Sequence, residues 1–456
     1  MFMPSKSDVI DACETGDVES VRMLFVDNAG IPRGRVVPAD EVADVIDEGD
    51  NFPAILMSFN ALDRPVPGGV FGVSGEFTMH PDPETFRRLP YADGGAVMLC
   101  DLAGLDGEPF DADPRTRLRE FVADCAYTPV ASFESEFYLL EETDDGDLVP
   151  PADTPVFSAD GMQATHGIVH EMMGALRAQG MHPEMYYPEY GPGHQELVIE
   201  HGTGVAAADL QVLKKQTIKG VASNHGKHAT FAPMPAPEVP GVGCHLNVSL
   251  WQDGENAFYG EGGGTDLGEG YAVSDLNRHF VGGVLEHGRA LVALTAPTTL
   301  SYKRLVPNNI ASAFTAWGPD NRECMVRVPS LNSPDGARIE FKASDNTSNP
   351  YIALLGILAA GIDGIERELD PGEPLDYNPA VLSEAERAEM GIEPVPAHLG
   401  EAVDELEADD VLREAMGERL FESYVEVKRS QFEALEDAAT AEEATGAEID
   451  QFVRTF

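Results

Sequence analysis

Alternation of apolar and polar positions marks a strand at Ala131-Ser132-Phe133-Glu134-Ser135-Glu136-Phe137-Tyr138-Leu139-Leu140. Strand side chains alternate between faces, so Phe133, Ser135, Phe137 and Leu139 share one face while Glu134 and Glu136 share the other. The same period returns at Cys244–Leu250, which sets His245, Asn247 and Ser249 opposite Leu246, Val248 and Leu250. It returns again at Arg338–Lys342, where Arg338, Glu340 and Lys342 oppose Ile339 and Phe341. Apolar residues behind and chemistry-bearing residues in front are what the inner wall of a curved, ligand-holding sheet requires.

Around these strands the pattern predicts a polar N-terminal helix within the first twenty or so residues. A strand at Val21–Asp27, a turn at Asn28-Ala29-Gly30 and a second strand at Arg33–Pro38 follow, the makings of a small hairpin-based domain. Pro65-Val66-Pro67-Gly68-Gly69 reads as a loop, and Asp101–Asp113, with its glycines and Pro109, as the link to a larger domain. Pro114 opens a helix to Asp124, its missing N–H harmless at that position. Further helices are expected near Gly161–Gln179 and Ala206–Gly226, and the acidic stretch beyond Asp363 is helical with Pro-rich interruptions. The longest apolar run, Tyr351 to Ile365, carries Gly356, Gly361 and Asp363 and falls short of the roughly 20 residues that span a bilayer; it is expected as a buried helix. No signal peptide is recognised at the start.

Length changes the picture first: 456 residues exceed one small core and imply two domains, divided as 1–105 and 106–456. Charge changes it more. With 79 acidic residues against 30 basic, the net charge is −49. Such self-repulsion opposes compaction at low ionic strength and is screened in molar salt, where the Debye length is about 3 Å. The expectation is a protein of a salt-rich cytoplasm. No basic stripe appears, which argues against nucleic acid. Five scattered cysteines without C-x-x-C spacing indicate a reducing compartment and no zinc site.

Glu134 and Glu136 would stand roughly 6 to 7 Å apart on one strand face. A solvated face is the plain alternative, but hard divalent cations are bound by oxygen ligands of this kind. Glu189-Tyr190-Gly191-Pro192-Gly193-His194-Gln195-Glu196 brackets a turn with two further glutamates, which the reversal can bring side by side. Arginines in the apolar segments Ser301–Pro307 and Asn321–Pro329 call for anionic partners, their own protein's carboxylates or a ligand's.

In order, the E-x-E strand, E-x-G-P-G with Glu196 beyond it, Ala229-Thr230-Phe231, Gly243-x-His245 with Ser249, Ser301-Tyr302-Lys303-Arg304-Leu305, Asn321-Arg322 with Arg327-x-Pro329, Arg338-Ile339-Glu340 and Asn349-Pro350-Tyr351 resemble the glutamine synthetase family over nearly the whole chain. The resemblance implies an α+β protein, with a small N-terminal β-grasp domain and a catalytic domain built on a curved antiparallel sheet flanked by helices. It implies active sites at subunit junctions in rings, usually dodecamers of two hexamers. Carried over by position, it gives Glu136, Glu189 and Glu196 one Mg²⁺ or Mn²⁺ and Glu134, His245 and Glu340 a second. Ser249 and Arg338 would lie by ATP, and Arg322 and Arg327 by the transferring phosphoryl group. Gly241, His245, Arg304 and Lys342 would hold the amino-acid substrate, with Arg304 counted also among the catalytic groups. The implied reaction is an ATP-dependent ligation of glutamate to an amine through γ-glutamyl phosphate, in the cytoplasm.

Departures from the family sharpen the reading. Glutamine-forming members carry an Asp in a D-G-S-S-like loop of the small domain, where this chain has Leu56–Asp63. They carry a Glu in the flap after the S-Y-K-R-L-V-P motif, where Ile310 stands in Asn308-Asn309-Ile310-Ala311-Ser312. Losing both acids points to an organic amine, putrescine or another polyamine above all, with Ile310 and Phe59 lining an alkyl channel and Asp63 receiving a distal ammonium. Pro240, Met234 and Lys342 replace a usual Asn, Lys and Arg, and Lys342 keeps the charge without the bidentate fork. Ordinary glutamine synthesis, and a catalytically silent structural or regulatory role, are the alternatives.

Overall fold

The computed structural model describes residues 4–456 except 237–238, 261–266, 268–269, 332 and 436–445. After the helix Lys6–Glu14, the small domain is a sheet of β1 (Ser20–Val26), β2 (Pro32–Pro38), β3 (Asp50–Pro53), β4 (Glu76–Pro81), β5 (Arg87–Arg88) and β6 (Gly95–Ala103), in the order β2-β1-β6-β4-β3 with β5 on β6. β1 and β2 form the expected antiparallel hairpin. Its tip is fixed by Asp27, whose Oδ1 accepts the N–H groups of Ala29 and Ile31, each at 2.9 Å. Gly30 closes it at φ +83°, pressed so tightly on the larger domain that a Cβ would lie 2.3 Å from the Thr347 carbonyl oxygen; only glycine satisfies both demands.

Asp101–Asp113, read from sequence as a link, begins inside β6. The strand runs on because Asp113 reaches back, its Oδ2 accepting the Leu102 N–H at 3.0 Å while its Oδ1 caps the helix Pro114–Asp124. Burial pushes this carboxyl up to about 6.

The larger sheet is organised around the fifteen-residue β7 (Thr128–Glu142). β8 (Leu148–Val149) pairs with its end, and β9 (Pro183–Pro188) follows β10 (His194–Ile199) on one side. β11 (Gly202–Thr203) and β12 (Lys227–Thr230) also pair with β7. On the other side lie β13 (Cys244–Gln252), which carries β14 (Glu255–Asn256), then β17 (Ile339–Phe341), β16 (Val326–Val328) and β15 (Trp317–Pro319). All pairings are antiparallel except β15 with β16. Phe133, Phe137, Leu246, Val248, Ile339 and Phe341 are buried as the alternation requires.

Helix Val205–Asn224 covers that apolar face, and the apolar run forms the helix Pro350–Glu366, buried nearly throughout and packed behind it. Asn349 caps this helix through Oδ1 and donates from Nδ2 to the carbonyls of Val26 and Asp27, tying the two sheets together. The C-terminal helix Gly446–Thr455 packs Phe452, Val453 and the final Phe456 against Tyr138, Leu140, Val242 and Leu300. Among the described residues no helix is long and apolar enough to cross a membrane, and all five cysteines are free thiols.

Candidate active site

Register decides which side chains meet. β7 and β13 set Glu134 opposite His245, β7 and β10 set Glu136 opposite Glu196, and Glu340 on β17 lies opposite both Asn247 and Arg327. Residues more than two hundred positions apart thereby share one sheet face. Ligand atoms of Glu134, His245 and Glu340 all come within 4.8 Å of one another, the closest such trio among the described residues.

His245 Nδ1 lies 3.2 Å from Glu340 Oε1. Burial works against a charge on Glu340, yet Lys342, His245 and Arg327 outweigh it and hold the carboxyl well below the usual carboxylate range. Arg327 supplies Nη1–H to Glu340 Oε2 at 2.7 Å and clasps Asp320 with Nε and Nη2. Lys342 is buried, with Nζ 3.2 Å from His245 Nε2 and 3.6 Å from Glu340 Oε1.

The second set is less balanced. Glu136 Oε2 accepts the Gly243 N–H at 2.7 Å and faces His194 Nε2 at 3.2 Å, and these contacts keep it ionised against its burial. Glu196 is 3% exposed. Its Oε1 has no hydrogen-bond partner, and burial first, then the charges of Glu136 and Glu134, push its carboxyl well above the ordinary range despite the Tyr187 hydroxyl. Glu189, its Oε2 accepting the Tyr190 N–H at 3.0 Å, adds to the same repulsion. An unpartnered buried carboxylate oxygen among three more carboxylates fits hard divalent cations, as does the trio with one imidazole.

Glycines keep the space between these groups open. A Cβ on Gly243 would lie 3.0 Å from His245 Nε2, 3.1 Å from Glu136 Oε1 and 3.2 Å from Arg304 Nη2, so two carboxylate sets and a guanidinium border one small volume. Gly241 packs directly on the Arg304 side chain. Arg304 is buried, donating from Nε to the Val242 carbonyl at 3.1 Å and from Nη2 to Ser344 at 2.6 Å. Its neighbour Lys303 stands 3.7 Å from buried Glu448 of the C-terminal helix, and Glu448 also accepts from Thr299.

Further along β13, Ser249 Oγ accepts the Trp251 indole N–H at 3.0 Å. Arg338 donates from Nε to Asn247 Oδ1 at 2.8 Å, and Asn247 Nδ2 donates to Glu134 Oε1 at 2.9 Å. Asn247 and His194 therefore position Glu134 and Glu136, and the sequence reading gave neither a role. Asn247 shares a face with His245, a signal that was available; His194 sits in the motif that drew attention only for its glutamates.

Three expected residues make no hydrogen bond or ion pair to this cluster among the described residues. Arg322 is exposed and makes no ion pair among the described residues. Ile310 is 60% exposed on its loop. Asp63 is largely exposed, with its Oδ1 accepting from Arg33 Nη1 at 2.8 Å, and Phe59 lies under the same guanidinium.

Fold and site define the class: an ATP-dependent ligase with a small N-terminal sheet domain and a half-barrel catalytic sheet walled by carboxylates. Two family models match, "Glutamine synthetase N-terminal domain" over residues 4–110 and "Glutamine synthetase, catalytic domain" over residues 111–446. The chain belongs to the glutamine synthetase family. It is 35% identical to the glutamine synthetase of Pyrococcus abyssi over 91% of this chain and 90% of that one. It is 34% identical to that of Methanococcus maripaludis over 96% and 98%. Among solved structures, a "novel glutamine synthase homolog" superposes with a TM-score of 0.82 at 32% identity, covering 95% of this chain and 98% of its own. GmaS in complex with ADP superposes with a TM-score of 0.82 at 30% identity, covering 97% and 99%.

Proposed function

We propose that this chain joins the γ-carboxylate of glutamate to an organic amine, with ATP driving the ligation through γ-glutamyl phosphate. The observation that carries this reading is the pairing of a complete carboxylate–imidazole cluster with a flap that presents Ile310 instead of an acid. Bound Mg²⁺ or Mn²⁺ would neutralise charge on the transferring phosphoryl group. Glu136, Glu189 and Glu196 would hold one ion, and Glu134, His245 and Glu340 the other. Arg304, Gly241 and Lys342 would bind glutamate, Ser249 and Arg338 would face ATP, and Arg322 and Arg327 would stabilise the phosphoryl group in flight. Putrescine or another polyamine is the favoured acceptor, and Asp63, exposed beside Arg33, would be the receptor for its distal ammonium.

Domains divided near residue 105, a two-ring dodecamer and a cytoplasmic, salt-rich setting complete the proposal. The net charge of −49 supports the last; the melting temperature should climb steeply from dilute buffer to molar KCl, and a flat response refutes it.

Phosphate release measured with ammonia, methylamine, ethanolamine and putrescine tests the acceptor. Ammonia as the sole good substrate overturns it. That second reading, ordinary glutamine synthesis, is supported by the names of relatives at 34–35% identity.

A further inference from the structure

Away from the carboxylate site, one imidazole is buried between charges. Helices Asp275–Glu286 and Gly288–Thr295 meet at His287, which is the C-cap of the first and the N-cap of the second. The Leu291 N–H donates to the His287 carbonyl at 2.8 Å. A Cβ on Gly288 would lie 2.8 Å from Met325 Sδ, so this elbow packs directly on the residue that precedes β16. The Met325 carbonyl in turn accepts the Lys342 N–H at 2.9 Å.

His287 is 7% exposed, and both of its ring nitrogens face carboxylates. Nδ1 lies 2.6 Å from Asp409 Oδ2, and Nε2 lies 3.1 Å from Asp363 Oδ2. A neutral imidazole has one N–H and one lone pair, so either tautomer would set a lone pair against an acceptor oxygen. Only the imidazolium donates to both. The other charges around the elbow are engaged in pairs of their own. Arg367 donates from Nη1 to Asp363 Oδ2 at 2.8 Å and stands 3.6 Å from Glu286. Arg289 is held by Glu401 and Glu405 of helix Leu399–Glu407. Asp409 Oδ1 caps helix Asp410–Met416 by accepting the Leu412 N–H at 2.9 Å, and Arg413 of that helix pairs with Glu418.

We propose that His287 is a proton-operated latch: as the imidazolium it ties the elbow to helices Pro350–Glu366 and Asp410–Met416, and it releases them as pH rises beyond neutrality. Burial works against the charge, yet Asp409 and Asp363 outweigh it and raise the imidazole above its ordinary pKa. The folded value therefore exceeds the unfolded one of about 6.5. Stabilisation by the latch is complete below that unfolded value and is lost as pH climbs through the folded one.

Thermal unfolding of the full chain in molar KCl, from about pH 6 to about pH 9.5, tests the latch. Burial lowers Lys214, Lys215, Lys219 and Lys428 to about 8, 8, 7 and 7, and these groups add stability as pH rises. The readout is therefore the difference in melting temperature between wild type and His287→Gln at each pH. That difference should be largest at the acid end and shrink to roughly half or less at the alkaline end. Asp409→Asn keeps the helix cap, since an amide oxygen can still accept the Leu412 N–H, but it removes one counter-charge, and its difference from wild type should shrink in the same direction. If His287→Gln does not fold, Asp409→Asn decides alone. A difference that stays constant or grows with pH, in either variant, shows a packing role and overturns the latch.

Discussion

Two regions of the molecule, the carboxylate cluster and the flap, are built in opposite ways. At the carboxylate end, Glu134 and Glu136 ride on a strand of fifteen residues flanked by partners on both sides, with Asn247, His194, Arg327 and Lys342 placed against the carboxylates. At the flap end, strands of three residues give way to a loop with left-handed residues and an exposed isoleucine. The difference teaches a division of labour. Cation and phosphate chemistry depends on ligand placement and charge, which paired strands can fix; on the proposed reading, acceptor choice would rest on one loop, which can change without disturbing the sheet.

The largest effect should come from breaking the rigid end. Glu340→Ala removes one proposed ligand and the carboxylate that Arg327 and Lys342 share, so ATP turnover should fall at least about 100-fold with every acceptor. The same change should cost about 3 kcal/mol in thermal or denaturant unfolding, because buried Lys342 loses its carboxylate partner. Survival of activity with even one acceptor would show that the two ends are not so divided. Ile310→Glu tests the loop end: kcat/KM for ammonia over ethylamine should rise about tenfold, roughly 1.4 kcal/mol, with Mg²⁺ dependence unmoved. A shift in the metal titration would couple what the geometry keeps apart. The smallest effect belongs to Glu448→Ala, which removes a buried partner of Lys303 beside Arg304. Glutamate KM should rise roughly fivefold, about 1 kcal/mol, with ATP KM and kcat little changed; equal losses in all three would make the C-terminal helix a general support.

Much of this was readable along the chain. Period-two alternation gave the faces of β7, β13 and β17, and Pro114 marked a helix start that the structure keeps. The end of the small domain was harder, because the Asp113 carboxylate reaches Leu102 in β6 from 11 positions further along the chain and leaves no local signature. The pairing of Asp63 with Arg33 of β2 likewise has no signature nearby in sequence.

By itself the sequence determined the apolar and polar faces, the order of motifs and the acidic character of the molecule, because each depends on residue type at short spacing. Only the tertiary structure decided which charges answer which. Strand register brings Glu340 to His245 and Glu196 to Glu136, and the folded flap brings Ile310 to Glu323. Those pairings depend on distances through space between segments the chain holds far apart, and no local pattern encodes them.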